Sequence, residues 1–376
     1  MVEKPWAPVA FLCASALVGC GRAPAQNKPD AKPVASAIEP VDPKAQAGGA
    51  AFARYCALCH GPDAKGYAAD NAPSLDTTTF LASASDEFLA RSIKEGRPGT
   101  AMAGYDKARG GPLSDEEVSA ILAFLRSKGP APVALPKQPT RGTAIWGEEL
   151  YQRDCVGCHG TRARRGTAPH LANTVFLSAA SDEFIRYAIT NGRPGTGMRP
   201  FAGVLHENQI DDLVAMLRAW ETTPPEPPPP SPAASTLPGM EGPIVINPKG
   251  SAPTFTPREG RYVPIDDVKK ALDQKKRLII LDARATSDWL SVHVTGSVST
   301  PYYESARLDH VPNDGTWVVA YCACPHHASG VVVDELKKRG YPNVAIMDEG
   351  ILEWQNRNYP VVKAKGAVTP PALPHR

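Results

Sequence analysis

The chain has 376 residues, 42% of them hydrophobic, which allows two or three globular domains and excludes disorder along its whole length. Its 41 Lys and Arg nearly balance its 39 Asp and Glu, giving a net charge of +2 with no long basic run, so nucleic-acid binding gains no support. The 39 prolines cluster between periodic segments, the pattern of separate domains on stiff tethers.

At the N-terminus Lys4 precedes an apolar stretch from Val9 to Val18. That is too short to span a bilayer, which needs about 20 residues, but it suits the apolar region of a secretory signal. We predict a signal peptide over 1–19. The sequence Leu17-Val18-Gly19-Cys20 resembles the bacterial lipobox, which implies lipidation of Cys20 and anchoring on the periplasmic side of a membrane. The alternative is a plain signal peptide with an incidental cysteine. Residues 20–47, rich in Ala, Pro, Lys and Gln, read as a flexible tether.

"CALCH" (56–60) and "CVGCH" (155–159) both fit Cys-x-x-Cys-His, the attachment motif of c-type haem. Two thiols at this spacing can add to the two vinyl groups of one porphyrin, and the adjacent histidine then ligates iron. The surroundings repeat as well. "FLASASDEFLARSIKEGRPGTAM" (80–102) matches "FLSAASDEFIRYAITNGRPGTGM" (176–198) at 14 of 23 positions without a gap. We therefore predict two covalently bound haems c, one on Cys56, Cys59 and His60, the other on Cys155, Cys158 and His159.

The sixth ligand follows by elimination. From Gly61 to the end of the first repeat there is no histidine and Met102 is the only methionine. The second repeat offers His170, His206, Met198 and Met216, of which only Met198 has a partner in the first. His/Met ligation raises the haem potential. Met216 falls in "IDDLVAMLRAW", an amphipathic pattern in which core packing is expected, and His170 and His206 are expected to face solvent.

Phe52 and Tyr151 each stand four residues before the first haem cysteine, with Gly48 and Gly147 four earlier. The closing helices are predicted over 113–127, with Ser114 and Glu117 as a capping box, and over 207–220. These features resemble small class I cytochromes c, over 46–129 and 143–222, which implies electron carriage. We set the domains at 48–129 and 143–222, joined by a linker at 130–142. Arg97 and Arg193, in the repeated "GRPGT", either reach haem propionates or stand on exposed turns. Phe80, Phe88, Phe176 and Phe184 are expected in the core or against haem.

Residues 223–260 open with "TPPEPPPPSP" and read as a semi-rigid spacer, since polyproline II extends about 3.1 Å per residue. Beyond it "IDDVKKALDQ" reads as a helix, "RLIILDA" and "WVVAYC" as strands, "GVVVDELKKRG" as a helix, "NVAIM" as a strand and "ILEWQNR" as a helix. The alternation predicts an α/β layer with a parallel sheet. Asp282, Arg284, Asp288-Trp289, His293-Val294, Gly296, Pro301, Cys322 and the closing "GYPNVAIMDEGILEWQNRNYPV" resemble a rhodanese over 261–362, leaving 363–376 as a tail. The fold class is thus two all-α cytochrome c domains followed by an α/β rhodanese-like domain.

The resemblance implies a persulfide on Cys322, held by backbone N–H groups leading into a helix N-terminus, where an anion is favoured. The loop departs from the arginine-bearing loops of thiosulfate sulfurtransferases, because it reads Ala-Cys-Pro-His-His. Cys322, Cys324, His326 and His327 leave three readings open. Zinc prefers a tetrahedron that four donors so close together, broken by Pro325, would form poorly. Cys324 can instead accept sulfur from Cys322 or close a reducible disulfide with it. The histidines would assist by hydrogen bonding or as charged partners of an anion. Cys13 leaves with the signal, so no structural disulfide is required.

The expectation is an exported, lipid-anchored di-haem electron carrier with redox protein partners. Its third domain either transfers or oxidises sulfur from a small compound, or serves as a docking or sensing module.

Overall fold

The computed structural model describes residues 42–221, 239–323 and 326–364. The predicted signal, Cys20, Cys324 and the tail beyond residue 364 lie outside the described residues.

Each haem-motif repeat folds as helices around one small core. In the first, α1 (Pro43–Tyr55) runs into the short α2 (Ala57–His60), followed by α3 (Thr78–Ser83), α4 (Asp86–Glu95) and α5 (Asp115–Arg126). The Asp42 carboxylate caps α1 by accepting from the Lys44 N–H at 2.9 Å, and Pro43 sits in the first turn, where its missing N–H costs nothing. The predicted capping box opens α5: Ser114 N–H donates to Glu117 Oε2 at 2.8 Å and Glu117 N–H to Ser114 Oγ at 3.3 Å. Val118, Ile121 and Leu125 bury the inner face of α5 against Phe52. Each contributes on the order of 1.5–3 kcal/mol of apolar burial.

The second repeat reproduces this with α6 (Ala144–Asp154), α7 (Val156–His159), α8 (Thr174–Ala179), α9 (Asp182–Asn191) and α10 (Glu207–Trp220). The glycine contacts read from the sequence are present. A Cβ on Gly48 would overlap the Ala120 carbonyl of α5, and one on Gly147 would overlap the Asp212 carbonyl of α10. Met216 is fully buried in the core, as expected. In both repeats an arginine of the closing helix fastens the helix pair before it. Arg126 donates to Asp86 Oδ1 (2.8 Å) and to the carbonyls of Leu81 and Ala84, while Arg218 donates to Asp182 Oδ1 (2.6 Å) and to those of Leu177 and Ala180.

The four repeated phenylalanines form the seam between the two helical domains. Phe88 and Phe184 lie 4.7 Å apart between centroids, and Phe80 meets Phe184 edge-on at 6.4 Å. Polar bonds border the seam: Arg91 donates to the Ser178 carbonyl at 2.7 Å, Thr79 Oγ1 to the Gly192 carbonyl at 2.8 Å and Asn173 Nδ2 to the Pro98 carbonyl at 3.0 Å.

The third domain has a five-stranded sheet built from β1 (Tyr262–Val263), β2 (Leu278–Asp282), β4 (Val298–Ser299), β5 (Trp317–Tyr321) and β6 (Val344–Met347), in the order β1-β6-β5-β2-β4 and parallel throughout. Strands β2, β5 and β6 are apolar runs because helices cover both faces. The helices are α11 (Ile265–Asp273), α12 (Thr286–Ser291), α13 (His327–Lys338) and α14 (Gly350–Asn356). Outside the sheet β3 (Val292–Val294) pairs antiparallel with β7 (Val361–Lys363).

One boundary differs from the reading of the sequence. Residues 239–260, assigned to the spacer, pack on the third domain. Ile246 and Leu278 exchange backbone hydrogen bonds at 2.8 and 3.3 Å, Phe255 meets Trp317 edge-on at 5.3 Å, and Met240, Ile244 and Val245 lean on the core. Their scattered apolar residues have neither helical nor strand period, so the sequence offered no pattern to find them by.

Candidate functional site

Short helices α2 and α7 hold the Cys-x-x-Cys-His motifs. His60 is buried and its Nδ1 donates to the Pro73 carbonyl at 2.9 Å, and His159 Nδ1 donates to the Pro169 carbonyl at 2.8 Å. The proton is thereby fixed on Nδ1, leaving Nε2 with a lone pair for a metal. Burial lowers both imidazole pKa values, which favours the neutral, ligating form. None of Cys56, Cys59, Cys155 and Cys158 is in a disulfide, and burial pushes the Cys56 thiol up to about 12.

The two methionine loops have the same hydrogen bonds. Arg97 N–H donates to the Met102 carbonyl at 2.7 Å and Arg193 N–H to the Met198 carbonyl at 2.8 Å. Thr100 and Thr196 each accept from the methionine N–H at 3.1 Å and donate to the arginine carbonyl. Such closure presents Met102 and Met198 in equivalent settings.

Arg97 and Arg193 are not on exposed turns. The Arg97 guanidinium bonds Ser92 Oγ (2.7 Å) and the Gly96 carbonyl (2.8 Å) and lies over the Phe88 ring. Arg193 bonds the Gly192 carbonyl and lies over Phe184 and Phe80. Burial lowers both guanidinium pKa values to about 10. A haem propionate would supply an anion for each. Thiol pair, Nε2 lone pair, methionine and uncompensated arginine together fit a c-type haem.

Of the remaining second-repeat candidates, His206 is exposed at the start of α10. His170 is buried, contrary to expectation, with Nε2 donating to the Thr161 carbonyl at 3.0 Å. The bond to the loop after α7 explains its burial.

In the third domain the chemistry gathers at the C-terminal ends of the parallel strands, where α/β sheets bind ligands. Cys322 follows β5, is 6% exposed, and its Sγ lies 3.3 Å from Ser329 Oγ in the first turns of α13. Gly350 has φ +71°, and a Cβ there would crowd the Cys322 carbonyl. Below the cysteine, Arg284 donates to both Asp282 oxygens at 3.0 and 2.6 Å and to the Val292 carbonyl, while Tyr321 donates to Asp282 Oδ2 at 2.7 Å. This buried network fixes the ends of β2 and β5. The two histidines diverge. His327 lines the cavity at Cys322, whereas His326, at φ +81°, directs Nε2 to Asp348 Oδ1 at 2.6 Å and packs at a tilt against Tyr262. Among the described residues no three or more His, Cys, Asp and Glu are grouped to hold a metal ion.

The cavity at Cys322 is closed by the first domain. Leu58, Cys59, Ala69, Asp70, Ala101, Ala103 and Tyr105 form one wall, and Arg284, Tyr302, Cys322 and His327 belong to the other. Cys59 is the second cysteine of the first Cys-x-x-Cys-His motif, and Ala101 and Ala103 flank Met102. Tyr302 donates to the Tyr55 carbonyl at 2.7 Å, Arg54 to the Tyr303 carbonyl at 3.2 Å, and Tyr303 packs edge-on to Tyr55 at 5.0 Å. Sequence reading missed Tyr105, Tyr302 and Tyr303. The available signal was Pro301-Tyr302 at the end of a sheet strand, but nothing in it points to another domain.

Comparison with known proteins finds relatives of both the helical and the α/β parts of the chain. The family model "Cytochrome C oxidase, cbb3-type, subunit III" matches residues 43–125 and 143–217, and "Rhodanese-like domain" matches 264–357. Cytochrome c55X of Stutzerimonas stutzeri is 34% identical over 86 residues, covering 23% of this chain and 75% of the relative. The chain belongs to the c-type cytochromes. Cytochrome c domains carry covalently bound haem c, and this cytochrome adds a C-terminal rhodanese-like domain. The FixP subunit of cbb3-type cytochrome c oxidase from Bradyrhizobium sp. (strain ORS 278) is 30% identical over 156 residues, 38% of this chain but only 50% of that subunit. A solved structure of a reducing HAO-like protein complex from Kuenenia stuttgartiensis aligns at 22% identity and a TM-score of 0.33, covering 47% of this chain and 96% of that one.

Proposed function

We propose that this cytochrome is an exported, lipid-anchored di-haem electron carrier that oxidises a reduced sulfur compound at Cys322 and passes the electrons to its own haems. The observation that carries the reading is the shared cavity, lined by Cys322 on one side and by Cys59 and the neighbours of Met102 on the other. Export and lipidation at Cys20 rest on the N-terminal sequence alone. Among the described residues no helix is long and apolar enough to cross a membrane.

Bound haem supplies a one-electron Fe(III)/Fe(II) couple. The chain's residues do the rest. His60 and His159 would hold iron through Nε2 because their Nδ1 protons are committed, and Arg97 and Arg193 would neutralise anionic groups that otherwise lower the potential. Ser329 Oγ lies beside the Cys322 sulfur in the first turn of α13, and His327 stands at the same cavity to take a proton. Oxidising a thiol pair or bound sulfide releases two electrons, which two haems c, one on each Cys-x-x-Cys-His motif, would be able to take up singly. The Arg165–Asp70 ion pair at 3.2 Å ties the segment after the second motif to the cavity wall of the first domain.

Stopped-flow spectra of the oxidised protein mixed anaerobically with reduced sulfur compounds, beside Cys322→Ser, test the reading. Haem reduction that depends on Cys322 is expected. Equal reduction in both proteins would leave an electron shuttle whose third domain only docks or senses.

A further inference from the structure

Two features of the Cys322 cavity bear on its substrate. The first is the charge of its walls. Among the described lining residues Leu58, Ala69, Ala101, Ala103, Ala285, Ala323 and Ala328 are apolar, and the cationic Arg284 is already committed to Asp282, Val292 and Asp288. The Asp70 carboxylate on the opposite wall is paired with Arg165 and adds no positive charge. A dianion such as thiosulfate would enter this cavity with His327 as its one titratable cationic partner among those residues. Desolvating two charges there is unfavourable. Hydrogen sulfide, partly uncharged at neutral pH, meets no such cost.

The second feature is electron count. Moving the sulfane sulfur of thiosulfate to a cysteine expels sulfite and yields no electrons, so a neighbouring haem would have no part in it. Joining two sulfur atoms that are both at the sulfide level does yield electrons. On the functional reading above, which this step deepens, we infer that Cys322 takes hydrogen sulfide and is converted to a persulfide.

The step balances. The Cys322 thiol and hydrogen sulfide form one S–S bond, giving Cys322–S–SH, with two protons and two electrons released. One proton goes to His327 and the other to water. The electrons go one at a time to ferric haem c, entering on the Cys59 side because Cys59 is the haem cysteine that shares the cavity. A later thiol acceptor can then remove the outer sulfur and restore Cys322.

The test uses the full-length, haem-loaded, oxidised protein under anaerobic conditions, mixed separately with sodium sulfide, thiosulfate or free cysteine. Haem reduction is followed optically, and the peptide containing Cys322 is weighed by mass spectrometry. Sulfide is expected to reduce both haems and to add the mass of one sulfur atom to that peptide. Thiosulfate is expected to leave the haems oxidised. The mass reading needs no variant, and Cys322→Ser, checked for an unaltered haem spectrum, is expected to lose the sulfide-driven reduction. Reduction by free cysteine with a mixed disulfide on Cys322, or by any donor with loss of two hydrogens to a Cys322–Cys324 disulfide, would overturn sulfide as the substrate while leaving oxidation at Cys322 standing. Absence of Cys322-dependent reduction with every donor would overturn both.

Discussion

Cys59 of the first cytochrome domain and Cys322 of the rhodanese-like domain line the same cavity, although 263 positions separate them in sequence. The arrangement depends on a docking surface of aromatic residues. Tyr55 precedes the first haem motif, Tyr302 and Tyr303 follow the edge strand β4, and Tyr105 donates to the Tyr55 carbonyl at 3.1 Å. Ser287 at the start of α12 adds a hydrogen bond to the Gly104 carbonyl.

Tyr303→Ala removes the ring that packs on Tyr55 and Tyr302 and is expected to loosen this docking by about 2–4 kcal/mol. Calorimetry should show the rhodanese-like transition separating from that of the first cytochrome domain. An unchanged single transition would show that the tyrosines do not carry the interface.

The helix crossings tolerate no added methyl group. Gly48→Ala and Gly147→Ala each place a Cβ against a backbone carbonyl, which cannot retreat as a side chain can. Each is expected to cost at least about 1–3 kcal/mol. Thermal melts of the holo-protein read the loss directly.

Arg97→Met removes a half-buried cation for which a haem propionate would be the anionic partner. The apo-protein should lose little or no stability, because desolvating an uncompensated charge is itself unfavourable. The holo-protein should show a lower potential for the haem of the first domain. Arg193→Met is expected to do the same in the second, and a spectroelectrochemical titration separates the two.

Asp288 lies behind the Cys322 site, and burial raises its pKa to about 6 from an ordinary 3.8, against the opposing effect of Arg284. Below both values the folded and unfolded states are protonated alike and the group has no effect. Between them the folded state holds a proton that the unfolded state has lost, so stability falls as pH rises, and the loss is complete above about 6. Asp288→Asn should therefore flatten this slope and stabilise the protein at neutral pH by about 2 kcal/mol. Denaturant melts across this range check the sign.

Most of the haem site was legible in the sequence because its chemistry is local. Cys-x-x-Cys-His is contiguous, and the duplicated segment pairs Met102 with Met198 and Arg97 with Arg193 by simple alignment. The strands β2, β5 and β6 were legible because fully buried parallel strands are apolar runs. The two-residue strands β1 and β4 were not, since two residues carry no period. His326 and His327 are adjacent in sequence yet serve different neighbours, because a positive φ at His326 turns one ring to Asp348 and leaves the other at the cavity. The meeting of Cys59 and Cys322 is a tertiary fact with no local signature.

The most direct test of the account is whether Cys322 feels the haem of the first domain. With 13C at cysteine Cβ and the Cys322 resonance assigned from the Cys322→Ser spectrum, NMR spectra are recorded while the potential is stepped from reduced to oxidised. A shared cavity predicts that this resonance shifts and broadens as the haem of the first domain becomes ferric and paramagnetic. A Cys322 resonance that is the same in the fully reduced and fully oxidised protein would contradict the account.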